Sequence, residues 1–343
     1  MRTIIVTPKV KGIGGIAQHT FKLAKKLREK KIKVAVISTH NTKFIKIKSL
    51  QNISFSLFSR IKIKELCDRY DVIHGHNLLT GLALDVCKSL PKVLTLHGNY
   101  SEQIFMLHGR LAGYFAKALE KKILDKVNVA TCISKNTYRY YKKLGFQRLI
   151  YIPNAIDLRD LPDSSIRLYE RQVIFAGRIS KEKGIHILLK AMKYVDRNIH
   201  LIVVGSGPLE RLVFEASKSF PNIHFIGYKP RDFVLKLMKG SDLLVLPSLH
   251  EGLPTVLLEA MALKIPIIAT KIPEILDLLS NEEAILVNID PLELAKAINT
   301  YIDSKPLSKV EKAFAKVVKE YNWDIVIDKY IALYKYLTKV YNS

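Results

Sequence analysis

The sequence predicts an α/β protein made of two doubly wound parallel-sheet domains, one after the other. Three observations predict it. Short β-branched runs alternate with amphipathic segments along the whole chain, and no hairpin turn joins neighbouring runs. The alternation is interrupted once, by the polar stretch AIDLRDLPDSSIRLYERQ (155–172), and then restarts. Strands covered on both faces and joined through helices produce this pattern, whereas antiparallel sheets produce tight turns.

The elements follow in order. Strand RTIIVTP (2–8) leads through a glycine-rich turn, GIGG (12–15), into an amphipathic helix, IAQHTFKLAKKLREK (16–30). KVAVIS (33–38) is the next strand, followed by a basic stretch containing SFSLFS (54–59) that receives no element. Strand DVIHGH (71–76), helix LLTGLALDVCKSL (78–90) and strand KVLTLHG (92–98) precede a long helical region at about 101–125. VNVATCIS (127–134), helix KNTYRYYKKLG (135–145) and strand LIYIPN (149–154) close the first half. After the linker come VIFAGR (173–178), helix 184–195, HLIVVGSG (200–207), helix 209–220, IHFIGY (223–228) and helix 232–240. DLLVLPS (242–248), helix PTVLLEAMAL (254–263), PIIAT (266–270), a short helix and AILVN (284–288) complete the second half, and a last helix starts at Trp323. The reading is two Rossmann-like halves, residues 1–155 and 156–322, with helix 323–343 packing back on the first.

Bulk properties bound the function. The 343 residues suit two domains with sizeable cores. A content of 48% hydrophobic and 25% charged residues describes a folded protein, not a disordered one. Cys67, Cys87 and Cys132 lack metal-ligand spacing and cannot all pair, so buried thiols in a reducing, cytoplasmic compartment are expected. No signal-peptide pattern opens the chain, and no apolar run reaches the roughly 18 residues of a membrane span. The net charge of +24 is lopsided: residues 1–155 hold 29 Lys and Arg against 8 Asp and Glu, residues 156–343 hold 26 against 23. That field favours an anionic partner such as lipid, nucleic acid or a phosphorylated substrate, unless it is only a lysine-rich solvated surface.

Open α/β sheets bind ligands beyond the carboxyl ends of their strands. GIGG offers close backbone approach to a phosphate at a helix start, although a plain tight turn gives the same signal. The dinucleotide fingerprint is incomplete and no acidic residue ends the second strand, which disfavours a nicotinamide enzyme. In GRISKEKG (177–184), Arg178 and Lys183 suit a diphosphate leaving group; an exposed basic loop is the alternative. In PSLHEGLPTVLLEAMA (247–262), Pro254 fits the first helical position and leaves amides free to hold an anion. Glu251 precedes that helix and could be no more than a helix-start acid. Glu259 lies in an apolar run and requires a partner, a ribose diol or an internal ion pair with a lysine. His97 ends a strand beside a glycine and could handle a proton or a hydrogen bond, or be structural. His74 and His76 share a strand face without a third ligand, and no Asp-x-Asp pair exists to hold Mg²⁺, so no metal is expected.

Taken together, DVIHGHN (71–77), LTLHG (94–98), IPNAID (152–157), AGRISKEKG (176–184), VVGSGP (203–208), FIGY (225–228) and DLLVLPSLHEGLPTVLLEAMA (242–262) make the chain resemble the retaining glycosyltransferases of family 4 (glycosyl transferases group 1) along nearly its whole length. The two carboxylates in their EG…EAMA frame are the most specific part. The resemblance implies the GT-B fold, two Rossmann-like domains facing a central cleft. It implies that Gly14 and Gly15 approach the donor phosphate and that Arg178 and Lys183 neutralise the diphosphate. Glu251 would bind the transferred sugar, Glu259 the ribose, and His97 would sit near sugar and acceptor. Gly177, Gly205, Gly207, Ser248, Gly252, Leu253 and Pro254 would complete the donor site. Ala155, where the family usually has glycine, and the missing glycine pair before Pro273 and Glu274 mark departures bearing on acceptor or sugar choice.

The resulting expectation is a retaining, metal-independent hexosyltransferase. It would use a nucleotide-diphosphate sugar, UDP- or GDP-linked, and an anionic or lipid-linked saccharide acceptor. Lys22/Lys25/Lys26, Lys43/Lys46/Lys48 and YRYYKKLGF (138–146) mix cations with aromatics as a peripheral membrane surface does. An epimerase or phosphorylase on the same fold is one alternative. A basic nucleic-acid-binding protein is another, but it leaves Glu251, Glu259 and the 177–183 loop without a role.

Overall fold

A computed structural model describes residues 1–9, 15–47, 50–252, 254–304 and 306–342. The chain forms two compact units, Met1–Asn154 with Trp323–Ser343, and Ala155–Asn322.

In the first unit, six parallel strands line up in the order β2-β1-β3-β4-β5-β6. They are β1 (Arg2–Val6), β2 (Lys33–Ile37), β3 (Val72–His76), β4 (Lys92–Leu96), β5 (Val129–Cys132) and β6 (Leu149–Tyr151). The helices are α1 (Gly15–Glu29), α2 (Gln51–Leu66), α3 (Gly81–Leu84), α4 (Tyr100–Leu124) and α5 (Lys135–Lys143), joined by the C-terminal helix Trp323–Asn342. Alternate strand residues separate by face. Ile4, Val6, Ile73, Leu94, Leu96 and Ala130 enter an apolar core with Phe55, Ile63, Leu84 and Ile123 from the helices. The opposite face is polar yet buried: His74, Thr95 and Thr131 lie under Tyr330 and Tyr334 of the C-terminal helix. Burial of these groups is tolerated because they bond to one another. His74 Nδ1 lies 2.5 Å from the Tyr334 hydroxyl and its Nε2 lies 2.7 Å from Thr95 Oγ1, which is 2.7 Å from Thr131 Oγ1. Lys26–Asp324 (2.6 Å) and Lys30–Asp328 (2.9 Å) tie α1 to the same helix.

The second unit repeats the design, with parallel order β12-β11-β10-β7-β8-β9. Its strands are β7 (Gln172–Ala176), β8 (His200–Val204), β9 (Ile223–Gly227), β10 (Leu243–Leu246), β11 (Ile267–Thr270) and β12 (Ile285–Val287). Its helices are α6 (Ile185–Ala191), α7 (Glu210–Ser219), α8 (Arg231–Lys239), α9 (Thr255–Ala262), α10 (Pro273–Leu276), α11 (Pro291–Ser304) and α12 (Leu307–Glu320). Ile174, Ile202 and Leu244 face one core with α8, α9 and α12, while Val173, Leu201 and Leu243 face a second with α6 and α11. Two covered faces explain why these strands read as unbroken apolar runs. The chain order reverses at β7, between β8 and β10, which makes the carboxyl ends of β7 and β10 the switch point where such sheets bind ligands.

Four readings from sequence are corrected here. SFSLFS lies in helix α2, whose serines back-bond to helix carbonyls: Ser56 Oγ donates to Asn52 O at 2.9 Å and Ser59 Oγ to Ser56 O at 2.9 Å. Pro291–Ser304 and Leu307–Glu320, given no element, form α11 and α12. Pro254 is the N-cap of α9 rather than its first helical residue. Two of the expected thiols are joined: Cys67 follows α2, Cys87 follows α3, and packing of these two helices brings them into a disulfide, leaving Cys132 as a buried thiol. The reducing-compartment argument from cysteine usage therefore loses its footing.

Candidate functional site

In the second unit, the loops after β7, β8 and β10 pack backbone against backbone. Gly184 has φ +67°, and a Cβ there would stand 1.8 Å from the Pro247 carbonyl oxygen; at Gly205 (φ +143°) it would stand 1.8 Å from that of Gly177. Only glycine permits both the conformation and the approach. Gly207 is likewise pressed against the Ile179 carbonyl, and Ile179 N–H donates to Ser206 O at 2.9 Å. Leu249 N–H donates to Glu182 O at 2.8 Å, so the β7 and β10 loops form one frame at the switch point.

Within that frame, Lys183 and Glu251 meet. Lys183 Nζ lies 2.6 Å from both carboxylate oxygens, and buried Ser248 donates its hydroxyl to Glu251 Oε1 at 2.7 Å. Thus Lys183, assigned from sequence to the diphosphate, and Glu251, assigned to the sugar, form one ion pair here. Arg178 is different: it is 65% exposed, with Glu182 at 3.8 Å, and its fork is accessible to an anion. Next to this group, His250 Nδ1 lies 3.0 Å from the buried carboxylate of Glu274.

Glu259 lies farther along α9 and is satisfied by Arg231 at the start of α8, Nε to Oε1 2.8 Å, with Asp160 3.7 Å from the same guanidinium. Burial raises the Glu259 pKa, and the neighbouring Arg231 charge and hydrogen bond oppose the rise. The internal partner is an arginine, not a lysine. It engages one carboxylate oxygen; Oε2 has no hydrogen-bond partner among the described residues.

His97 belongs to the first unit, where it joins a cluster with His19, His74 and His76. The ring centroids of successive pairs lie 4.2 Å (His74–His76), 5.6 Å (His76–His97) and 5.1 Å (His97–His19) apart. His76 Nδ1 and His97 Nε2 are 3.3 Å apart, while His76 Nε2 is buried without a partner among the described residues. Burial lowers all four pKa values, to about 4 for His19 and about 3 for His74, and well below the usual range for His76 and His97. The rings are neutral at pH 7 and act as hydrogen-bonding groups rather than cations. His19 is further fixed by Asn154 Oδ1 at 2.9 Å from its Nδ1.

The remaining candidates are placed as follows. Gly15 is the exposed first residue of α1, where an added Cβ would meet nothing within 4 Å among the described residues. Gly177 follows β7, and Gly252 and Pro254 flank the entry to α9. Gly14 and Leu253 lie outside the described residues. Sequence reasoning missed Arg231, His19 and His250; the usable signal for Arg231 was its position just beyond a strand end, in KPRD (229–232). Among the described residues, no group of three or more His, Cys, Asp or Glu side chains could hold a metal ion.

Comparison with known proteins adds the following. The family model described as glycosyl transferases group 1 matches residues 159–320, and that of Glycosyltransferase Family 4 matches residues 13–160. An uncharacterized glycosyltransferase of Methanocaldococcus jannaschii is 25% identical over 311 residues, covering 78% of this chain and 76% of that protein. The Escherichia coli UDP-Gal:alpha-D-GlcNAc-diphosphoundecaprenol alpha-1,3-galactosyltransferase is 26% identical over 312 residues, covering 81% and 78%. Among solved structures, Anabaena HepE in complex with UDP superposes with a TM-score of 0.75 at 18% identity, covering 98% of this chain and 100% of that one.

Proposed function

The chain belongs to the glycosyltransferases of the GT-B fold, family 4 in its first half and group 1 in its second, and we propose that it moves a hexose from a nucleotide-diphosphate sugar to a lipid-linked or otherwise anionic saccharide. The observation that carries this reading is the meeting of Lys183, Glu251 and Ser248 at the switch point of the second sheet, with Arg178 exposed beside them. A diphosphate entering there replaces Glu251 as the counter-charge of Lys183 and recruits Arg178, so negative charge developing on the leaving group is met by two cations without a metal. Glu251, released in part, then accepts hydrogen bonds from sugar hydroxyls. The free Oε2 of Glu259 takes a ribose hydroxyl, and the first amides of α9, with Gly252 and Leu253 before it, hold phosphate. In the first unit His97, neutral, offers a hydrogen bond on the acceptor side, and attack from the face of the departing phosphate gives retention.

UDP and GDP are the candidate bases, and the UDP-galactose named for the E. coli relative favours UDP. The diphosphoundecaprenol in the same name supports a lipid-linked acceptor, as does the surplus of 29 cationic over 8 acidic residues in positions 1–155. Among the described residues no helix is long and apolar enough to cross a membrane. The proposed location is therefore peripheral, on the cytoplasmic face where nucleotide sugars are the donors. Calorimetric titration with UDP, GDP, ADP and CMP, with and without Mg²⁺, tests the donor assignment. One diphosphate bound equally well without metal is expected; no binding by any of them to the folded protein refutes it.

A further inference from the structure

Helix α4 presents the wrong kind of surface to water. Its inward stripe is complete: Gly113, Ala116, Glu120 and Ile123, at helical spacing, are buried against the first unit. Its outward stripe should be polar, yet Leu111, Tyr114 and Phe115 are 77%, 71% and 77% exposed. Gly109 (φ +82°) breaks the helix, and the segment before it exposes Phe105, Met106 and Leu107 at 47%, 62% and 75%. That segment lies close against the second half, since a Cβ on Gly113 would stand 2.9 Å from the Phe105 Cβ. The fold-back is pinned by Ser101 Oγ, which donates to the buried Glu120 carboxylate at 2.6 Å. Single exposed apolar side chains are ordinary; six large ones within eleven residues, beside a satisfied inner face, mark a surface that something covers.

We propose that the outer face of α4 is a bilayer-docking element that inserts its apolar side chains into an anionic lipid surface. Charge selects this occupant. Arg110, Lys117, Lys121 and Lys122 are exposed around the apolar patch, and the sole acid between residues 103 and 124, Glu120, points inward. Apolar side chains ringed by cations are the composition of helices lying in an anionic interface. A second copy of the chain would bring the same cations face to face, within a segment whose net charge is +21 over residues 1–155. α4 begins three residues after His97, so the docking element is joined directly to the strand end that carries the acceptor-side histidine. The inference rests on the proposed membrane-linked acceptor, and adds which residues touch the bilayer and that they insert.

The test is vesicle co-sedimentation of the full chain. The vesicles are phosphatidylcholine alone or an equimolar mixture with phosphatidylglycerol, both without any glycolipid acceptor. Binding is expected on the anionic vesicles only, reduced on the order of tenfold or more by Leu111→Ser with Phe115→Ser. Each Lys→Gln change at Lys117, Lys121 or Lys122 should reduce it by about fivefold. An unchanged circular-dichroism spectrum and thermal midpoint of the same variants show that they fold. A Leu111→Trp reporter should shift its emission to the blue on anionic vesicles. Charge-dependent binding that ignores the Leu111/Phe115 pair overturns insertion while leaving a membrane-bound acceptor standing. No binding to either vesicle overturns the proposal and, because the vesicles carry no acceptor, leaves the proposed acceptor standing. A dimer in free solution that the serine pair dissolves assigns the patch to a second copy and overturns the proposal.

Discussion

Replacement of Arg231 by methionine probes the environment of Glu259. The guanidinium is 33% exposed and donates at 2.8 Å to a carboxylate whose side chain is 14% exposed. Breaking a buried pair by removing one partner costs about 3–5 kcal/mol; partial exposure of Arg231 reduces this to about 1–3 kcal/mol in the second unit. The loss has a pH signature. Burial already raises the Glu259 pKa above its unfolded value, so the native state holds the proton to higher pH and stability falls as pH rises through that window. Without Arg231, which opposes the rise, the window extends further upward. The stability gap between Arg231→Met and the parent should therefore be smallest at acidic pH, where Glu259 is neutral in both, and grow toward neutrality. Urea denaturation across that range measures it, and Arg231→Lys should recover part. Nucleotide affinity of the methionine variant should fall with decreasing pH, because a neutral Glu259 is a poorer acceptor for two hydroxyls. A pH-independent gap, or a double variant with Glu259→Gln whose cost is the plain sum of the two, would refute the pairing argument.

Other outcomes follow from the same geometry. Lys183→Met should weaken nucleoside-diphosphate binding by about 1.5–3 kcal/mol in calorimetry, the usual worth of a hydrogen bond to a charged group; unchanged affinity removes Lys183 from the diphosphate. Gly205→Ala should lower the thermal midpoint, at a cost of about 1–3 kcal/mol, because its φ of +143° and the Gly177 carbonyl 1.8 Å from the new Cβ both oppose it. Tyr334→Phe removes the 2.5 Å partner of buried His74 and should cost about 1–3 kcal/mol by chemical denaturation. The histidine cluster makes the first unit acid-sensitive. A pKa depressed on folding means that the unfolded state binds more protons, so stability is lost as pH falls from about 6.5 toward about 4 for His19, amounting to about 3 kcal/mol. A thermal midpoint that does not move between neutral pH and pH 4 would contradict this.

Both sheets were legible because their strands are buried on two faces, and runs such as VIFAG (173–177) and DLLVLP (242–247) admit few other structures. The signal for α11 was also present, since Leu294, Ala297, Ile298 and Ile302 trace one helical face. Helix α2 was harder to read: its alternating serines imitate a strand, and their hydroxyls are satisfied by the helix's own carbonyls. In the site, residue types were readable but partnerships were not. Lys183 and Glu251 are 68 positions apart, Arg231 and Glu259 are 28 apart, and only the wound sheet brings each pair together. The Cys67–Cys87 bridge escaped for the same reason, since it depends on how α2 lies against α3.

The C-terminal helix has a consequence for how the protein is made. The first unit is discontinuous: the residues that cover His74, Thr95 and Thr131 are translated only after the whole of the second unit. All of the second unit is translated in between, an interval of about ten to thirty seconds at ordinary rates of elongation. Throughout that interval the nascent first sheet displays a polar face without its tyrosines, while the second unit already holds every residue it needs. The order of completion is therefore the reverse of the order of synthesis. A premature stop near Trp323 would spare the later unit and strand the earlier one, leaving it dependent on chaperones from the moment its sheet forms.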